Sequence, residues 1–172
     1  MIAVKFSIRS GIKDEIKNLP QYLSQPEKWT SLLIDKYPPV IHRLQYKISD
    51  TRSLLLHKLY NCEGEHALMH SHSWPLAVKV IEGGYEMGVG FSNDRSQVPV
   101  PVFTSFVKPG DYYEMINSKC WHYTKCSDEV KYSYSILLIG PRERERLAQN
   151  NDPLSEEQIK ELFDYFNKII NV

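Results

Sequence analysis

An all-β sandwich or barrel flanked by helical segments is the fold class that three features of the sequence predict. Between residues 53 and 140 the chain breaks into short runs rich in Val, Ile, Tyr and Phe, which suit a pleated, half-buried surface. The breaks are of hairpin length and carry turn residues, as in Glu82-Gly83-Gly84 and Lys108-Pro109-Gly110-Asp111. Beyond Ser155 the apolar period changes from two to three and four, which marks a helix. At 172 residues the chain can bury about two-thirds of its unfolded surface as one domain without disulfides.

The elements follow in chain order. Residues 1–52 read as a helical and irregular layer. Within it, Ser24-Gln25-Pro26-Glu27 has the form of a helix start, with an early proline and an acid in the first turn. Trp29, Leu32 and Leu33 then make one apolar stripe, and Pro38-Pro39 ends it. Residues 53–140 form the barrel, with strands expected over 54–60, 66–73, 76–82, 85–91, 102–108, 111–116, 120–125 and 131–139. Residues 141–172 are a charged linker and a helix. Arg142-Glu143-Arg144-Glu145-Arg146 alternates in sign and reads as a solvated surface. Ser155-Glu156-Glu157-Gln158 is a capping box, in which side chains satisfy amides left over at the helix start. Ile159, Leu162, Phe163, Phe166, Ile169 and Ile170 then form an apolar stripe that must dock on another element.

Composition excludes some partners. Lys plus Arg equals Asp plus Glu at 21 each, so the net charge is zero and no basic stripe is available to grip nucleic acid. No apolar run approaches the roughly 18 residues of a membrane span, and the first residues lack a signal-peptide pattern. Cys62, Cys120 and Cys126 are odd in number and without CxxC spacing, so they are expected as reduced thiols. The expectation is a cytoplasmic protein whose partners are a small-molecule substrate and, as a further option, a second copy of the chain.

The chemistry concentrates in six histidines. His70 and His72 stand at i and i+2, which places both imidazoles on one face of a strand. His122 follows Lys108-Pro109-Gly110-Asp111 and could complete a metal site from a distant strand. Gly64, His70-x-His72, Gly83-Gly84, a Pro-Gly-Asp turn and His122 together resemble the two motifs of the cupin superfamily, over about residues 53–140. That resemblance implies a double-stranded β-helix (jelly-roll) barrel holding one metal near its mouth, with His70, His72 and His122 as ligands. The carboxylate of the common cupin pattern is absent, because the corresponding positions are Leu76 and Ala77. Three neutral imidazoles leave the metal its full charge, which favours an anionic ligand.

The best-known three-histidine cupins that the chain resembles are the cysteine dioxygenase-like thiol dioxygenases. Ile41-His42-Arg43-Leu44 lies about as far before His70 as that family's carboxylate-binding arginine lies before its first ligand, which makes Arg43 the candidate substrate-binding residue. Cys62-Glu63-Gly64 and Val78-Lys79-Val80-Ile81-Glu82-Gly83 also resemble its strands. The family's Ser-x-His-x-Tyr strand is here Ser135-Ile136-Leu137-Leu138-Ile139, and its crosslinking cysteine falls at Leu76 or Ala77. The implied function is an Fe(II) oxygenase acting on a small polar molecule, with a carboxylate as the group Arg43 would hold. Zinc, nickel or manganese remain open, because imidazole suits them all. The alternatives are a metal-assisted isomerase, lyase or cyclase using a tyrosine or Glu114, and a non-catalytic binding cupin.

The remaining candidates carry two readings each. Tyr132 and Tyr134 share a strand face with Ile136, and either phenol is a candidate catalytic acid or hydrogen-bond donor, packing being the competing reading. Ser135 is a weaker candidate. His66 shares the face of His70 and could support a ligand from behind, whereas His42 and His57 read as structural. Trp74, Trp121 and Phe103 read as barrel core, and Cys120 and Cys126 as small buried hydrophobes.

Overall fold

The computed structural model describes residues 8–63, 67–94, 96–143 and 151–170. Its strands are β1 (Trp29–Ile34), β2 (Ile41–Ser49), β3 (Arg52–Tyr60), β4 (His70–Ser71), β5 (Leu76–Glu82), β6 (Tyr85–Phe91), β7 (Phe103–Val107), β8 (Tyr112–Met115), β9 (Cys120–Cys126) and β10 (Tyr132–Ile139). Helices α1 (Ile8–Lys17) and α2 (Leu19–Leu23) precede them, and α3 (Glu156–Ile170) follows. A six-stranded sheet runs β1-β2-β3-β10-β5-β8 and faces a four-stranded sheet running β4-β9-β6-β7. The strand pairs within both are antiparallel.

All eight expected strands are present, although 66–73 contracts to His70–Ser71, and Gly64, Glu65 and His66 lie outside the described residues. The segment read as a helix from Pro26 onward is different. A single 3-10 turn (Pro26–Lys28) leads into β1, and β2 extends the sheet further. Pairing decides this: β1 joins β2 without a break from Trp29↔Tyr46 to Ile34↔Ile41, and those ladder bonds outweigh a local helical spacing.

Both faces of the six-stranded sheet are covered. On its outer face Leu44, Leu54, Leu56, Tyr134 and Ile136 pack against Leu19 and Leu23 of α2 and Leu162 and Phe166 of α3. On its inner face Leu55, Leu76, Val78, Leu137 and Ile139 make a separate cluster inside the barrel. The capping box forms as expected: the Ser155 amide donates to Gln158 Oε1 (2.8 Å) and the Gln158 amide to Ser155 Oγ (3.3 Å). Lys58, also on the outer face and buried, pairs with Glu161 of α3 beneath the rings of Tyr60 and Tyr132. Burial alone would lower its pKa, but the Glu161 and Tyr60 hydrogen bonds outweigh that and raise it.

The turn between β5 and β6 requires its glycines. Gly83 and Gly84 have φ of +81° and +82°, and a Cβ on either would come within 2.5 Å or 2.7 Å of a carbonyl oxygen. Phe103, read as core, is instead exposed on the edge strand β7. Trp121, Cys120 and Cys126 are buried as expected. Among the described residues no helix is long and apolar enough to cross a membrane.

Candidate metal centre

His70 and His122 are direct cross-strand partners in the β4–β9 pair, a register that brings their Cβ atoms to about 5 Å. His72 returns to the same face two residues after His70. The three rings form a near-equilateral triangle, with centroids 4.6, 5.0 and 5.0 Å apart. One ligand nitrogen from each lies within 4.8 Å of the others, and His72 Nε2 is 2.9 Å from His122 Nε2. That spacing approaches what metal–nitrogen bonds of about 2.0–2.2 Å require.

Protonation favours the same arrangement. Burial lowers the pKa of His70, and burial together with the neighbouring histidines holds His72 and His122 well below the ordinary value. Neutral imidazoles are what a metal needs. His70 Nδ1–H donates to the Leu68 carbonyl (2.9 Å), which fixes the tautomer and leaves Nε2 as the ligating atom. His122 Nδ1 is buried with no hydrogen-bond partner among the described residues. The donor set therefore fits a divalent cation, and it contains no carboxylate.

A cavity of about 220 Å³ opens onto His70 and His72. Ile34, Tyr37, Pro38, Leu68 and Trp74 supply apolar lining. Its charged lining residues are Lys36 and Arg43, with no Asp or Glu among the residues that line it. Arg43 reaches it from the inner face of β2, where Nε–H donates to Nε2 of His57 on β3 (2.7 Å). Burial, then the Arg43 charge, keeps His57 well below its ordinary pKa.

Not every candidate arrives here. Tyr132 and Tyr134 are on the outer face of β10, where Tyr134 stacks on Tyr165 of α3 with centroids 3.5 Å apart. They are therefore packing residues, and their proposed catalytic role is corrected. Glu114 is exposed on β8. His42 also faces outward, toward Tyr60 and Gln158. Ser135 faces inward and is buried, opposite His57 across the β3–β10 pair. The sequence reading passed over Tyr113, whose ring lies 6.5 Å from that of His122 and whose hydroxyl meets Tyr85 Oη at 2.9 Å. Burial pushes the Tyr113 phenol up to about 12. The signal for it was the alternation of 111–116, in which Tyr112 and Tyr113 must face opposite ways.

A pH dependence follows from these shifts. A histidine with a lowered folded pKa binds its proton more readily in the unfolded chain. The metal-free protein should be fully stable above about 6.5, the ordinary histidine value, and lose stability as pH falls through it toward the lower folded values. Urea midpoints taken at about pH 7.5 and about pH 5.5 check this, the second being the lower.

The sequence matches no protein-family model, and no curated protein matches it either. Solved structures do. Hydroxypropylphosphonic acid epoxidase from S. wedmorenis aligns at a TM-score of 0.52 and 14% identity, over 66% of this chain and 56% of that one. The Fe(II) form of HppE in complex with substrate aligns at 0.53 and 13%, over 66% and 57%. The shared region thus spans little more than half of those chains, and at such identity the likeness is one of fold. Two facing antiparallel sheets, with a histidine triplet from β4, the residues just after it and β9, form a double-stranded β-helix (jelly-roll) fold with helices at its N- and C-terminal ends.

Proposed function

We propose that this protein is a divalent-metal oxygenase of the cysteine dioxygenase-like type, with Fe(II) as its metal and a small carboxylate-bearing molecule as its substrate. The observation that carries this reading is three converging neutral imidazoles beside Arg43, in a small cavity whose charged lining residues are all cations. A metal so held keeps its full charge and open coordination positions, where dioxygen and a substrate can meet. The Fe(II) form in which HppE was crystallised favours iron among the metals imidazole suits. Arg43 supplies orientation: its planar fork grips a carboxylate through two parallel charge-assisted hydrogen bonds.

An isomerase or lyase reading loses Tyr132, Tyr134 and Glu114 as acid–base groups, since none of them faces the histidines, and would fall to Tyr113, whose ring lies 6.5 Å from that of His122. Oxygen consumption by Fe(II)-loaded protein, over a panel of small thiols and carboxylic acids in air, is the test. Uptake with a carboxylate-bearing member supports the reading. Binding without uptake across the panel would assign a binding protein instead.

Two outcomes are expected within this reading. Arg43→Ala should weaken a carboxylate ligand by about 2–5 kcal/mol while metal content stays unchanged, and Arg43→Lys should weaken it as well, because lysine lacks the fork. Calorimetric titration of both variants measures it. Cysteine itself should turn over slowly, on the order of 10² below authentic thiol dioxygenases, because inward-facing Leu137 and Ile139 stand where those enzymes hold a histidine and a tyrosine. Rates with cysteine measured side by side decide this.

A further inference from the structure

Three buried side-chain polar atoms have no hydrogen-bond partner among the described residues: Trp121 Nε1, His122 Nδ1 and Asn151 Nδ2. Of these residues Asn151 alone lines the metal cavity. Its place is fixed from the sheet. The chain after it runs along the edge strand β1, where Leu33 N–H donates to the Asp152 carbonyl (2.8 Å) and Leu154 N–H to Ser31 Oγ (3.2 Å). Leu154 is then buried in the outer core. Asn151 is thereby held near Ile34, which lines the same cavity. A buried amide donor without an acceptor has lost its water and gained nothing in return.

We propose that Asn151 is a specificity-determining residue of the metal cavity, whose Nδ2–H donates to an oxygen of the bound substrate. This role rests on the function proposed above and deepens it. The charged residues that line the cavity, Lys36 and Arg43, are both cations, so the complementary ligand is an anion. The atom such a ligand turns to the amide is an acceptor, and a hydrogen bond to an ionised acceptor is the stronger kind. A neutral donor also adds direction that a point charge lacks. The substrate class is therefore a small carboxylate with an oxygen facing Asn151. An apolar molecule of the same shape leaves the amide unpaired, and a site built to pair an oxygen rejects it for that reason.

The test uses full-length protein loaded with Zn(II), which does not turn over, and calorimetric titration with two thiols. Mercaptoacetate carries the carboxylate, and isobutanethiol is its isostere with methyl groups in place of both oxygens. The wild type should bind mercaptoacetate more tightly. Asn151→Ala and Asn151→Leu remove the donor and should each weaken mercaptoacetate by about tenfold or more, the scale of one hydrogen bond to a charged group, without weakening isobutanethiol. Asn151→Asp keeps the shape but turns an anion toward the carboxylate, and should weaken mercaptoacetate further. Metal content should be unchanged in all three. The urea midpoint of ligand-free protein separates binding from scaffolding. An amide that held the fold would lower it when removed, whereas Asn151→Leu, which deletes an unpaired donor, should raise it or leave it in place. Undiminished mercaptoacetate affinity in Asn151→Ala or Asn151→Asp, or a midpoint that falls in both Asn151→Ala and Asn151→Leu, would overturn this role. The carboxylate reading would then stand on a loss of affinity in Arg43→Ala. A wild type with no preference for mercaptoacetate over isobutanethiol would overturn both.

Discussion

His72→Ala is expected to abolish stable metal loading. Its nitrogen is 2.9 Å from that of His122, and the triangle has no carboxylate to take its place. Losing a supporting partner of a metal ligand costs about 10–100-fold in affinity, so losing one ligand of three must cost more. His42→Gln is the control, because His42 lies across the sheet from the cavity. Metal content after extensive dialysis should fall to background in His72→Ala and match the wild type in His42→Gln. Retention of metal by His72→Ala would place the binding site elsewhere.

Phe166→Ala is expected to be the most destabilising single truncation on the helical side of the molecule. The ring is 0% exposed, meets Tyr134 edge-on at 6.0 Å, and is the largest of the fully buried side chains. Removing a buried aromatic ring costs about 3–5 kcal/mol, a transfer term plus a cavity that the neighbours fill only partly. A urea midpoint that moves by less than about 1 kcal/mol equivalent would show that α3 does not hold the outer core. Because α3 covers the face opposite the cavity, metal affinity in the folded variant should be unchanged.

The parts of the fold that were legible in the sequence are those where one local signal had a single physical solution. The bounds of β5 and β6 follow from alternating apolar runs closed by Gly83 and Gly84, whose positive φ no other residue adopts without strain. The histidine pair was legible because period two fixes which side chains share a face, whatever the tertiary context.

Where two solutions existed, the sequence misled. Trp29, Leu32 and Leu33 satisfy a helix as well as a strand, and only the distant partner β2 decides between them. β2 itself was hidden because its inner face carries Arg43 and Gln45 in place of apolar residues, the mark of a strand lining a site. Tyr132 and Tyr134 were correctly placed on one face with Ile136. Yet β10 is buried on both sides, so parity alone could not say which side held the cavity. His57 was obscured for the same reason, on the doubly buried β3.

The most direct test of the metal centre is elemental analysis and X-ray absorption on protein purified without an affinity tag. The expected result is about one divalent metal per chain, with three imidazole nitrogens at about 2.0–2.2 Å. His70→Ala, His72→Ala and His122→Ala should each lose that signal while remaining folded. Folded wild-type protein that takes up no metal when iron is supplied, or variants that keep a full complement, would contradict it.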